Sequence, residues 1–362
     1  MNRCLLYEYF ETRRAPCHFL SSCMLREELV KSITKQKLTN FQLLSICRNC
    51  GLPIGASNKA QLIEDISLCL ARESLFTENK KYSIVSIDVG VKNFAFTRLQ
   101  LEGGNVFKSR SSLPSILEWF KLDLEQFEGM KTFSPLAYSR MAYYLVEKLI
   151  CKSSDTGLLT PSVLLIERQR FRSNGGSSVL ESVIKSNIIE NMIISNVYAM
   201  GQMNNDYKTN IISSSPASMV NFWTNYKMSD GSTYLSMNSK NSKNSRMVLV
   251  DRWFDALLKG TPASFLLGDQ LSNRIKSKEL AILARCSNPS RRIYLLMEML
   301  NKPSIGSSVV KGDDLADSLL HGLSLLRFEQ NKMKLRENLE DLHATINQIE
   351  QSHVQEISII NQ

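Results

Sequence analysis

Tyr82-Ser83-Ile84-Val85-Ser86-Ile87-Asp88-Val89-Gly90-Val91-Lys92-Asn93-Phe94-Ala95-Phe96-Thr97-Arg98-Leu99 decides the fold. Ser83 to Ile87 is a short β-rich run that stops at an acid, Asp88. Gly90 turns the chain, and Phe94 to Leu99 reads as a second, antiparallel strand. Glu118-Trp119-Phe120-Lys121-Leu122 predicts a third. The pattern then changes. Pro135 opens a helix to about Ile150, with Leu136, Met141, Tyr144, Leu145 and Leu149 on one face. Ser162 to Ile166 reads as a buried strand ending in Glu167. A Gly/Ser loop from Ser173 to Ser178 leads to a helix over roughly 179–199. Ile211 and Ile212 make a brief fifth strand, closed by a turn from Ser213 to Pro216. A meander followed by alternating helices and strands predicts a mixed five-stranded α/β sheet flanked by helices. Beyond Pro216 the chain reads as helical with polar interruptions such as Ser236–Ser245.

Upstream, residues 25–72 read as a small helical unit. Thr39 is placed to cap a helix carrying Phe41, Leu43, Leu44 and Cys47. Gly51 stops it, Leu52-Pro53-Ile54-Gly55 turns the chain, and Ser57 can cap a second helix with Leu62, Ile63, Ile66 and Leu70. Residues 73–81 are polar and read as a linker. Residues 1–24 carry Arg3, Arg13 and Arg14 among Ser and apolar residues, like a mitochondrial presequence, although Glu8 and Glu11 depart from its acid-poor rule. At the other end, 329–362 reads as a helical tail. There Leu335, Leu339, Leu342, Ile346 and Ile349 step by 4, 3, 4 and 3, about two heptads. Cys47 and Cys50 form a CxxC without the second pair that a zinc site needs, so they read as a reduced, partly buried pair.

Composition narrows the class. With 43% hydrophobic and 22% charged residues among 362, the chain is globular and not disordered throughout. No apolar run reaches the ~18–20 residues of a membrane span. The net charge is +9. Residues 207–311 hold 15 basic and 6 acidic residues, so that stretch alone accounts for the excess. A localised basic surface favours an anionic partner, and phosphate backbones above all.

The acids carry the chemistry. Asp88 and Glu167 each end a predicted buried strand, where ligands of open α/β sheets collect. Asp313, Asp314 and Asp317 open a helix after Gly312. Spacings of three and four place Asp317 on one face with either partner. Taken singly, each acid has an ordinary reading: a turn residue, an ion pair with Arg168, or helix N-terminal charge. Taken together they would repel unless cations intervene. Two Mg²⁺ ions about 3.5–4 Å apart would hold them and clamp both oxygens of a phosphate displacement.

Three segments then resemble a known family. Ile87-Asp88-Val89-Gly90-Val91-Lys92-Asn93-Phe94-Ala95, Ile166-Glu167-Arg168-Gln169-Arg170 and Lys311-Gly312-Asp313-Asp314-Leu315-Ala316-Asp317-Ser318 look like the signatures of the fungal mitochondrial Holliday junction resolvases. These cruciform-cutting endonucleases are relatives of RuvC in the RNase H-like superfamily. Asn244 to Val250 resembles the family's basic helix start, and the likeness covers about residues 82–328. Leu38-Thr39, Leu43-Leu44, Gly51-Leu52 and Lys59-Ala60-Gln61-Leu62-Ile63 resemble the SAP motif, a DNA-binding helix-extended-helix module.

The resemblance implies an RNase H-like catalytic domain over 82–328. Asp88, Glu167 and Asp317 would be its metal ligands and catalytic acids, with Asp313 or Asp314 as the fourth. It implies a homodimer in the mitochondrial matrix that nicks four-way DNA junctions in symmetric pairs. The cofactor would be two Mg²⁺ ions per site, with Mn²⁺ able to substitute, and the ends left would be 5′-phosphate and 3′-hydroxyl. No membrane and no small-molecule substrate enter this reading. Candidate DNA contacts are Lys59, Lys92, Asn93, Arg168, Gln169, Arg170, Arg172, Lys243, Arg246, Arg274, Lys276 and Lys278. The apolar helix at 179–199 reads equally as a dimer contact or as core packing, and His321, one turn beyond Asp317, reads as a packed helix histidine ahead of one that orients a carboxylate or a water. Competing readings are a non-catalytic binder such as a group I intron splicing factor, an actin- or sugar-kinase-like ATPase, and a nuclease for RNA–DNA hybrids. The ATPase lacks a second Asp-x-Gly loop, and the splicing factors have degraded acids.

Overall fold

The computed structural model describes residues 16–55, 58–76, 80–101, 113–154, 157–169, 181–237, 239–261, 263–274, 282–300 and 312–361. The principal helices are α1 (Pro16–Lys35), α2 (Asn40–Asn49), α3 (Lys59–Ala71), α4 (Pro135–Leu145), α5 (Glu181–Met203), α6 (Pro216–Trp223), α7 (Ser239–Leu258), α8 (Pro289–Leu300), α9 (Asp313–Glu337) and α10 (Leu342–Ile357). The strands are β1 (Tyr82–Asp88), β2 (Phe94–Leu101), β3 (Ser115–Leu122), β4 (Lys152–Ser154), β5 (Gly157–Leu159), β6 (Val163–Glu167), β7 (Asn210–Ser214) and β8 (Leu266–Leu267). No described helix is long and apolar enough to cross a membrane.

Two compact units result. The first combines the chain through Leu75 with Lys227–Thr233 and Arg327–Ser352. The second holds Phe76–Tyr226, Tyr234–Leu326 and His353–Gln362. In the first unit Thr39 caps α2 reciprocally. Its hydroxyl accepts from the Gln42 N–H at 3.2 Å while the Gln42 side chain accepts from the Thr39 N–H at 2.9 Å. Gly51 ends α2 at φ +73°, and a Cβ there would collide with the Phe328 ring. Ser57, the expected cap of α3, lies outside the described residues. Asn58 caps the helix instead, accepting from the Gln61 N–H at 2.8 Å.

The core of this unit joins Leu29, Leu43, Ile46, Leu62, Ile66 and Leu70 to Leu335, Leu342, Ile346 and Ile349. The heptad-spaced residues near the C-terminal end are thus core residues. Cys47 and Cys50 are free and buried. Burial pushes the Cys47 thiol up to about 12, so it stays protonated.

The second unit is built on a mixed sheet in the order β7-β6-β1-β2-β3-β8. β1 pairs antiparallel with β2, and β2 with β3. β6 runs parallel to both β1 and β7. The five expected strands are present, and a sixth joins them: Leu266–Leu267 pairs parallel with Ser115 and Ile116. Two residues are too few for any alternation to show in a sequence. β4 and β5 form a separate hairpin. The helix expected to reach Ile150 is α-helical to Leu145 and finishes as a π-helical turn over Val146–Ile150. Arg98 donates to the Ile150 carbonyl at 3.2 Å and thereby caps it.

Most of the polar stretch Ser236–Ser245 is not an interruption, because α7 already starts at Ser239. Its inward face is serine rather than apolar residues, which hid the helical period. Ser242 and Ser245 are buried, and Ser242 shares a hydrogen bond of 2.6 Å with Thr224. The front half of α9 is the central helix of the unit, with Leu315, Ala316, Leu319, Leu320 and Leu323 buried. Polar ties fix its height and rotation. The Trp119 indole N–H donates to the Leu315 carbonyl at 3.0 Å, Thr97 and Ser318 hydroxyls meet at 2.8 Å, and the Trp223 indole N–H donates to Ser324 at 2.7 Å.

Candidate active site

Sheet register decides which polar side chains meet. Asp88, the last residue of β1, pairs with Ala95 of β2, and Ala95 pairs with Lys121 of β3. On the other side Ile87 pairs with Ile166, which sets Asp88 beside Glu167, and Glu167 pairs with Ser214 of β7. Residues opposite one another in a sheet share a face. One row across five strands therefore carries Lys121, Ala95, Asp88, Glu167 and Ser214. The first turns of α9 meet this row with Asp313, Asp314, Asp317 and His321.

Basic side chains hold four of the five acids. Asp317 accepts two hydrogen bonds from Arg246, from Nε at 2.6 Å and Nη2 at 2.9 Å. Lys243, almost one turn earlier on α7, pairs with Asp313. The Lys121 ammonium, fully buried in β3, lies 3.8 Å from Asp314 Oδ2 and 3.4 Å from Asn93 Oδ1. His321 Nε2 lies 3.1 Å from Glu167 Oε2. Asp88 has only carboxylates as close charged neighbours among those that shift it.

The titrations follow from this arrangement. Burial first, then the charges of Glu167, Asp314, Asp317 and Asp313, push the Asp88 carboxyl well above the usual range. Burial and the adjacent Asp313 push Asp314 up to about 7, against Lys121 and Lys243. Burial also raises Asp317, although Arg246 opposes it. Burial works against ionised Asp313 and Glu167 as well. Lys243 nevertheless holds Asp313 below its ordinary value, and the hydrogen bond from His321, with the charge of Arg246, does the same for Glu167.

This donor set fits a hard divalent cation. Every candidate ligand is a carboxylate, the type such ions take. Asp314 Oδ2 is buried and has no hydrogen-bond partner among the described residues, which is costly for an acid without a cation. No three potential ligands already converge on one point among the described residues, because lysine, arginine and histidine hold the carboxylates there.

The expected DNA contacts separate. Lys243 and Arg246 face the acids, and Arg246 is largely buried. Asn93 accepts from Lys121. Lys92 is exposed and pairs with Glu125 at 3.2 Å. The Arg168 N–H donates to the Ser214 carbonyl at 2.9 Å, and the Gln169 N–H to Glu190 Oε2 at 3.1 Å, so the chain leaving β6 is pinned. Arg274 donates to the Leu300 carbonyl. Lys59 is exposed in the first turn of α3, in the first unit. Arg170, Arg172, Lys276 and Lys278 lie outside the described residues.

Sequence reading misses Lys121 and Ser214, and for His321 it puts packing ahead of orienting a carboxylate. A lysine within the apolar run of β3 was the available signal for Lys121. Ser214 is recognisable only once the register sets it beside Glu167.

Known proteins share this arrangement of segments. The family model described as "Mitochondrial resolvase Ydc2 / RNA splicing MRS1" matches residues 84–335. The mitochondrial cruciform cutting endonuclease 1 of Saccharomyces cerevisiae (strain ATCC 204508 / S288c) is 29% identical over 323 residues, covering 84% of this chain and 86% of that protein. The crystal structure of the yeast mitochondrial Holliday junction resolvase Ydc2 matches the fold with a TM-score of 0.50 at 21% identity, covering 83% of this chain and 97% of that one. The family match spans the β1, β6 and α9 segments that bring the acids together, and the chain belongs to the Mitochondrial resolvase Ydc2 / RNA splicing MRS1 family.

Proposed function

We propose that this chain is a mitochondrial, metal-dependent endonuclease that resolves four-way DNA junctions. One observation carries the choice of nuclease over silent binder: the acid set is complete, with Asp88 and Glu167 on one sheet row and Asp313, Asp314 and Asp317 in the first turns of α9 that meet it. A splicing factor or other non-catalytic binder has no need to bury five mutually repelling carboxylates, an arrangement that is costly without a cation.

In this reading Asp88, Glu167, Asp314 and Asp317 are the ligands. Asp314 is preferred to Asp313 because its free oxygen is buried and its charge acts on Asp88 ahead of those of Asp317 and Asp313. Asp313 holds Lys243. Two bound Mg²⁺ ions, with Mn²⁺ able to substitute, supply Lewis-acid activation of water and offset phosphate charge. Asp88, central in the row, would be one of the carboxylates that hold them. Lys243, half exposed at 52%, can leave Asp313 for a substrate phosphate. Arg246 stays with Asp317 and fixes that carboxylate. Shape is read through phosphates by the basic stretch around α7 and α8, and the SAP-like first unit adds DNA contact through Lys59. A homodimer supplies the second nick, with α5 as its contact: Ile184, Ile188 and Met192 line an open depression there.

Asp88→Asn tests the site. Junction binding, measured by gel shift, should persist while cleavage with Mg²⁺ falls at least about a thousandfold, the scale on which lost charge stabilisation slows catalysis. Cleavage at the normal rate would refute the assignment.

A further inference from the structure

His321 is 1% exposed and is held from two sides. Its Nδ1 lies 2.7 Å from the Ser214 hydroxyl, and its Nε2 lies 3.1 Å from Glu167 Oε2. Ser214 and Glu167 are register partners at the ends of β7 and β6, so the imidazole of α9 bridges two neighbouring strand ends. The chemistry of the three groups sets the direction of the chain. An ionised carboxylate only accepts, so Nε2 must carry the proton. The neutral ring then accepts at Nδ1, which leaves the Ser214 O–H as donor.

We propose that His321 is a positioning residue. Ser214 fixes its tautomer, and its Nε2–H orients the Glu167 carboxylate for a divalent cation. The inference rests on the metal-nuclease reading above. It explains why a histidine sits one turn beyond Asp317: from there it ties one of the two sheet-borne acids to the helix that carries Asp313, Asp314 and Asp317. Groups one step beyond a metal's ligands set ligand orientation, and losing them typically costs about 10–100-fold in metal affinity.

The test uses the full-length, metal-free protein. Long-range ¹H–¹⁵N NMR should show a proton on His321 Nε2, and a ring with no proton there overturns the proposal. Mn²⁺ titration followed by electron paramagnetic resonance should show about 10–100-fold weaker binding in His321→Ala. His321→Gln, whose amide can still donate to Glu167, should recover most of it, and Ser214→Ala should fall between. Unchanged Mn²⁺ affinity in folded His321→Ala overturns the proposal. If that variant does not fold, wild-type affinity in Ser214→Ala together with no difference between His321→Gln and His321→Asn does so. Glu167→Gln separates this failure from a failure of the site itself: equal Mn²⁺ binding by wild type and Glu167→Gln would remove the metal reading too.

Discussion

At the scale of single residues, Arg98 shows how a buried charge is answered. Away from the acids, Arg98 is 1% exposed and donates from Nε to Glu118 at 2.6 Å, while Lys152 pairs with the other Glu118 oxygen. Burial opposes the Glu118 charge, yet Arg98 and Lys152 hold its carboxyl below the ordinary value of 4.5. A depressed native value means that the folded state releases this proton more readily than the unfolded chain. The resulting stability is present above pH 4.5 and is lost as pH falls through the depressed native value. Glu118→Gln removes the charge that opposes buried Arg98, and should cost about 3 kcal/mol at neutral pH. Urea midpoints across pH check this: the gap between wild type and variant should close in acid, and a pH-independent gap would contradict the pairing. The acids Asp88, Glu167 and Asp317 were legible in the sequence, because an acid ending an apolar strand or opening a helix is conspicuous. Their partners were less so. Arg246 and Lys243 read as DNA contacts in the sequence, which shows a basic helix but not that these side chains pair with Asp317 and Asp313.

At the scale of elements, α9 carries most of the design. Its first turn follows Gly312, whose N–H donates to Ser290 Oγ at 2.9 Å. A Cβ on Gly312 would collide with the Ser290 carbonyl and approach Ile293 Cβ at 2.9 Å. Gly312→Ala should therefore push the first turn off α8. We expect a stability loss of about 1–3 kcal/mol, the cost of overpacking, and a larger fall in cleavage than the unfolded fraction explains. Circular dichroism melts beside cleavage rates decide this, and a variant with both unchanged would show that the contact has slack. The meander β1-β2-β3 and strands β6 and β7 were readable because their β-rich runs are bounded by Gly, Pro or acids. Two elements were not. β8 is too short to show a period, and the start of α7 buries hydroxyls where a periodicity argument looks for apolar residues. Ser242 is satisfied by Thr224, from outside the helix, and by Arg246 one turn later on α7.

At the scale of the molecule, the two units are built from interleaved sequence. The first unit needs Arg327–Ser352 as well as the N-terminal helices, since Leu335, Leu342, Ile346 and Ile349 complete its core. A sequence reading treats 25–72 as a separable bead and 329–362 as a tail, because local patterns carry no information on which distant helices share a core. Deleting residues 1–75 would expose those four residues, and a contiguous apolar patch of that kind promotes association. We expect the truncated chain to aggregate in light scattering, with Leu335→Gln and Leu342→Gln together restoring solubility. A monodisperse truncation without those changes would contradict the shared core.

The acids of β1, β6 and α9 together are expected to cut branched DNA. A labelled four-way junction incubated with and without Mg²⁺, beside linear duplex and single strand, tests it most directly. The account predicts paired, symmetric nicks near the branch point only with Mg²⁺, and only on the junction. Tight junction binding with no cleavage in metal, or equal cutting of linear duplex, would contradict it.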